Sequence, residues 1–167
     1  FVIPFLRTGN REIPTDCSRV GHRIGPLPRS PGSATGSWAV PQRDAFAAQL
    51  IQDAGGDYLW DNVDGSGSLF LSLEEVYQRA GDADIWLNPG SRRSRKQLLQ
   101  QEERLQHFTA LREGEVYNCT ARRSSTGALD YFESGAVRPD LVLKDLVHIL
   151  HPSLLPEHEL FYYERLP

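Results

Sequence analysis

The sequence predicts an α/β fold with a small, mostly parallel sheet flanked by helices. Three observations carry this expectation. Residues Ser68 to Gly90 read as a helix feeding a short strand that ends in a turn. Two other stretches of helical spacing run into glycine and then a short apolar segment: Phe46 to Trp60, and Ser94 to Asn118. The chain has 167 residues and 40% apolar content, enough for one domain with its own core.

Ser68 to Gly90 is the most explicit part. Ser72 followed by Glu75 spells a capping box, in which the serine oxygen takes a free helix-start amide and the glutamate reaches back. Leu73, Val76, Tyr77 and Ala80 then fall on one helical face, and Gly81-Asp82 stops the helix. Ala83, Ile85 and Leu87 alternate with Asp84, Trp86 and Asn88, the pattern of a short strand ending at Asn-Pro-Gly. Ligands of α/β folds gather where strands give way to loops, which is where Trp86 and Asn88 lie.

The remaining elements follow in order. Residues 1–35 hold five of the eleven prolines and little sustained periodicity, and read as a poorly ordered arm with a Pro/Gly/Ser-rich linker from Pro26 to Thr35. Within the arm, Val20 to Ile24 could form a short strand. The α/β unit is expected over residues 36–167. Phe46, Leu50, Ile51 and Ala54 predict a helix closed by Gly55-Gly56, with Asp57 to Trp60 as the apolar segment after it. Ser94 to Arg112 is helical in propensity, in one piece or two, and ends at Gly114 before a strand at Glu115 to Asn118. Val137 to Leu150 reads as a long buried helix with Pro139 in its first turn, where a missing amide matters little. Leu160 to Tyr163 reads as a closing edge strand.

Composition narrows the function classes. A net charge of −4 and a pI near 5.7 argue against a nucleic-acid surface. The basic cluster Arg92, Arg93, Arg95 and Lys96 is local and fits a solvated face or a helix start. Two cysteines, Cys17 and Cys119, are too few for a disulfide framework. No eighteen-residue apolar run is present, and no basic-then-apolar leader precedes FVIPF, so the chain reads as a fragment or processed product. The five histidines include no His-Glu-x-x-His, and no Cys-x-x-Cys occurs, so no metal site held by protein side chains is expected. No Gly-x-Ser-x-Gly or Walker loop is present either, and a non-catalytic protein is expected.

Candidate binding residues are aromatic or stand at loop edges. Trp38, Trp60 and Trp86 each lie beside an element boundary, where indoles either line a pocket for a large flat ligand or pack in the core. Asp130 to Gly135 precedes the last helix and suits either anion contact or helix capping. Glu74, beside the capping box, is left free by it, since the box uses Glu75.

The series GSWAVP, AQLIQDAGGDYLW, GSLFLSLEEVYQRAGDADIWLNPG, FTALREGEVYN, DYFESGAVRPDLVLKDLVHILHP and LPEHELFYYERL resembles, in order and spacing, the C-terminal lobe of substrate-binding proteins of ABC importers for iron complexes and cobalamin. The resemblance covers Gly36 to Leu166. It implies a Rossmann-like lobe of a two-lobe protein with a rigid helical backbone, working in the periplasm or from a lipid anchor. The chain would receive an iron-siderophore, haem or corrinoid ligand and pass it to permease subunits, meeting the membrane only through them. Iron or cobalt would arrive inside the ligand, with no cofactor of the protein's own. The resemblance implies that Trp38 faces the cleft, that Trp60 and the Asp130-Tyr131 loop contact ligand, and that Glu74 docks onto the permease, its other reading being solvated helix surface. Binding is then expected to rest on Trp38, Trp60, Trp86 and Tyr131, with Asp130, Glu133 and Arg122 as weaker polar candidates. Two other classes remain: an interaction module without ligand, and a small α/β enzyme using carboxylates near Glu74 or the Asp130–Glu133 loop.

Overall fold

The computed structural model describes residues 5–7 (backbone only), 38–90 and 92–167. Over these residues helices and short strands alternate, giving a mixed α/β fold. The strands are β1 (Phe5–Arg7), β2 (Trp38–Pro41), β3 (Asp57–Tyr58), β4 (Ser68–Leu71), β5 (Ile85–Leu87), β6 (Val116–Asn118) and β7 (Glu164–Arg165). The helices are α1 (Phe46–Asp53), α2 (Leu73–Ala80), α3 (Arg95–Gln101), α4 (Thr109–Glu113), α5 (Asp130–Glu133) and α6 (Pro139–Leu150), with a 3-10 turn at Glu103–His107.

The described strands form a five-stranded sheet in the order β3-β1-β5-β6-β7 and a separate β2–β4 ribbon. Among the described strands only the β5–β6 pair is parallel; β1–β3, β1–β5, β6–β7 and β2–β4 are antiparallel. The mostly parallel sheet expected from the sequence is therefore corrected. A parallel neighbour requires a crossover that brings the chain back to the same end. Between β5 and β6 that crossover is α3, the 3-10 turn and α4. The other partners meet their neighbours head to tail.

Local signals held where they were strongest. Ser72 Oγ accepts the Glu75 amide at 3.2 Å, and Glu75 accepts the Ser72 amide at 2.7 Å, completing the capping box of α2. Pro139 stands in the first turn of α6. The helical stretch after Ser94 is cut into three by extended backbone at Glu102 (φ −149°, ψ 99°) and Phe108 (ψ 129°).

Two segments differ from expectation. Phe5–Arg7, assigned to a poorly ordered arm, supplies a strand between β3 and β5, with Leu6 opposite both Tyr58 and Ile85. The possible strand at Val20 to Ile24, the linker, and Cys17 lie outside the described residues. At the other end, the closing strand is Glu164–Arg165 rather than Leu160 to Tyr163. The amides of Phe161, Tyr162 and Tyr163 are bound by the Asp145 carboxylate and so cannot serve a strand ladder.

The core forms between the sheet and the helices. Val76, Trp86, Leu87, Phe108, Val116, Val142 and Leu146 are all buried. Helices α1 and α6 pack together. Gly56 permits close approach there: a Cβ at this position would lie 2.8 Å from Ile51 Cγ2 and 3.1 Å from Leu150 Cδ1.

Candidate functional site at the carboxyl ends of the parallel strands

The parallel pair β5–β6 ends in two loops that are fastened by buried asparagines. Asn88, immediately after β5, takes a left-handed conformation (φ 52°), which asparagine tolerates better than most residues. Its Oδ1 accepts the Cys119 amide at 3.2 Å, and its Nδ2 donates to the Tyr163 hydroxyl at 3.3 Å. Asn118, the last residue of β6, donates from Nδ2 to the Gly90 carbonyl at 2.6 Å and the Arg92 carbonyl at 2.8 Å. The loop after β5 is thereby tied to the end of β6. Cys119 lies just beyond, buried and free, its thiol pushed up to about 12 by burial.

The chain leaving β6 builds the polar part of the site. Arg123 pairs with Leu129 in an isolated bridge across a turn containing Gly127 at φ 85°. This return brings Asp130 to Arg122, with Arg122 Nε 3.1 Å from Asp130 Oδ2. The Arg122 guanidinium carbon stands 4.2 Å from the centre of the Phe161 ring. Arg122 is half-exposed, and among the described residues its terminal nitrogens Nη1 and Nη2 make no hydrogen bond. Ser134 and then Arg122 hold the Asp130 carboxyl below its usual range.

An aromatic cluster begins at the residue after Asp130. Tyr131 is buried, with Phe132, Tyr162 and Tyr163 edge-on to it at 5.0, 6.0 and 5.7 Å. Burial pushes its phenol upward. Phe132 remains 38% exposed. A half-exposed guanidinium bonded through Nε and laid over an aromatic ring is suited to grip an anion.

Asp145 supports the aromatic cluster from behind. It is fully buried on α6, and its carboxylate accepts the amides of Phe161 (2.9 Å), Tyr162 (2.7 Å) and Tyr163 (3.1 Å) and a bond from His158 Nε2 at 2.7 Å. Asp145, Asn118 and Phe161 were not among the residues singled out from the sequence. One available signal was a charged residue set among Val142, Leu146 and Ile149 on the buried face of α6.

The three tryptophans do not share an open face. Trp86 is wholly buried, 6.0 Å from the half-buried Trp38 and 5.9 Å from Phe108. Trp60 is 1% exposed, 6.0 Å from Tyr58, with Arg79 5.5 Å above its ring. Trp60, Trp86 and Tyr131, expected as ligand contacts, are core residues here, because the sheet and helices close over them. Trp38, Arg122 and Asp130 keep accessible surface.

Glu74 also differs from expectation. The capping box leaves it out, but it is not free: Glu74 Oε1 lies 2.5 Å from Arg104 Nη1. Of the carboxylates weighed for catalysis, Glu74 is held by Arg104 and Asp130 by Arg122. Among the described residues no group of three or more His, Cys, Asp or Glu side chains is arranged to hold a metal ion.

No protein-family model matches the chain, and no solved structure matches it. Over 115 residues the chain is 30% identical to an uncharacterised lipoprotein of Methanocaldococcus jannaschii. The match takes in 68% of this chain and 26% of that protein, so the chain spans about a quarter of the length of the relative it resembles.

Proposed function

We propose that this chain is the ligand-receiving lobe of a substrate-binding protein of an ABC importer for iron complexes (siderophore or haem) or cobalamin. In this reading it is Rossmann-like, belongs to a two-lobe protein, and works outside the cytoplasm from a lipid anchor or in the periplasm. The lipoprotein character of the relative supports that location. Among the described residues no helix is long and apolar enough to cross a membrane. The order of motifs from Gly36 to Leu166 supports the family.

The observation that carries the reading is the Arg122 guanidinium. It is bonded to Asp130, laid on Phe161 and half-exposed, and among the described residues its terminal nitrogens make no hydrogen bond. Binding rests on this group and on Trp38, with Trp60, Trp86 and Tyr131 acting as the support behind the contact surface. Glu74 docks the lobe onto permease subunits.

Calorimetric titration of the parent protein with a ferric siderophore, haem and cyanocobalamin tests the reading. Binding of one class is expected, weakened about tenfold or more by Arg122→Ala, as for loss of a charged hydrogen-bonding group. Lack of binding to all three classes overturns it. For Glu74→Ala, unchanged ligand affinity with slowed uptake is expected; uptake at the normal rate ends the docking role.

A second reading has an observation of its own. Burial of Trp60 and Trp86 favours an interaction module without ligand. The same titration separates the two.

A further inference from the structure

The surface around Glu74 carries more than one exposed carboxylate. Arg104 places three of its nitrogens on two partners. Its Nε and Nη2 lie 2.8 Å from Glu102 Oε1 and Oε2, a two-point grip that matches the planar fork of the guanidinium. The remaining nitrogen, Nη1, lies 2.5 Å from Glu74 Oε1. Glu102 is 28% exposed, whereas Glu74 and Arg104 are 65% and 58% exposed. The inner contact is sheltered and doubled; the outer one is single and open to water.

The surroundings of Glu74 suit a guanidinium. Tyr77 follows it by three positions and so shares its helix face. Tyr77 is 46% exposed, with its ring edge-on to the buried Phe108 at 5.2 Å. A carboxylate beside a fixed, half-open phenol ring can offer a guanidinium both an ion pair and a ring face. An exposed ion pair such as Glu74–Arg104 contributes little to stability, so exchanging one guanidinium for another on Glu74 is inexpensive.

We propose that Arg104 is an internal stand-in: in the free protein it occupies the place on Glu74 that an arginine of a docking partner takes, and it yields that place while staying anchored on Glu102. This rests on the docking role given to Glu74 above and adds a regulatory element to it. Docking is then competitive from the start. The lobe presents a masked carboxylate, which discourages loose capture of basic molecules and admits a partner able to displace Arg104 and cover Tyr77.

The test uses the folded protein and the peptide acetyl-Gly-Arg-Gly-Gly-Arg-Gly-amide, followed by NMR of side-chain carboxyl carbons. The peptide is expected to shift the Glu74 carboxyl and leave that of Glu102 in place. Arg104→Ala is expected to bind it about fivefold tighter, the scale of competition an exposed ion pair offers. Adding Glu74→Gln to that variant is expected to abolish the gain. Equal affinity in wild type and Arg104→Ala overturns the proposal. So does a gain that survives Glu74→Gln, or a Glu102 carboxyl that moves together with Glu74. Normal uptake by Glu74→Ala instead removes the permease from the picture and leaves the competition on Glu74 standing.

Discussion

The Asp145 carboxylate accepts the Tyr162 amide at 2.7 Å across seventeen positions of sequence. With the Phe161 and Tyr163 amides and His158 on the same carboxylate, this bond fixes the segment that holds the Arg122 platform and the Tyr163 hydroxyl bound by Asn88. Asp145→Ala would remove the acceptor and strand buried amides. A loss of about 3–5 kcal/mol is expected, the scale for breaking a buried charged network. The urea midpoint at neutral pH measures it; a loss below about 1 kcal/mol would mean that the brace is dispensable.

The capping box makes α2 sensitive to acid. The Ser72 amide first, and its hydroxyl second, hold the Glu75 carboxyl below its usual range. A carboxyl depressed in the folded state contributes stability above its unfolded value, about 4.3, and loses that contribution as pH falls through the lower folded value. Glu75→Gln is therefore expected to be less stable than wild type at neutral pH, with the difference shrinking below about pH 4. Paired thermal melts across that range check the sign.

Cys119 should be silent in the folded protein. Its thiol is buried and pushed up to about 12, so almost no thiolate exists at neutral pH. In a Cys17→Ser background, reaction with a thiol reagent is expected only as fast as the chain opens, and stoichiometrically in denaturant. Rapid labelling of the native protein would contradict the burial.

Trp38 is the tryptophan with the most accessible ring. Trp60 and Trp86 are 1% and 0% exposed, while Trp38 is half-buried against Trp86. Acrylamide is expected to quench wild-type fluorescence partially, and Trp38→Phe is expected to remove most of the quenchable part. If quenching is unchanged, the ribbon does not present Trp38 to solvent. The same variant decides whether ligand-induced fluorescence changes report from Trp38.

What the chain specified by itself was local. The Ser72–Glu75 box, the glycine stops, Pro139 in the first turn of α6 and the apolar helix faces all act within a few residues, so spacing alone reveals them. The mixed α/β character followed from their succession. Tertiary structure decided strand direction, leaving β5–β6 as the only parallel pair among the described strands. It also closed the core over Trp60 and Trp86, joined Asn88 to Tyr163 across seventy-five positions, and set Arg122 between Asp130 and Phe161. The physical reason is that pairing direction and side-chain convergence depend on where distant segments return in space. An aspartate in an apolar helix looks like an exception until the amides that it binds arrive from elsewhere in the chain.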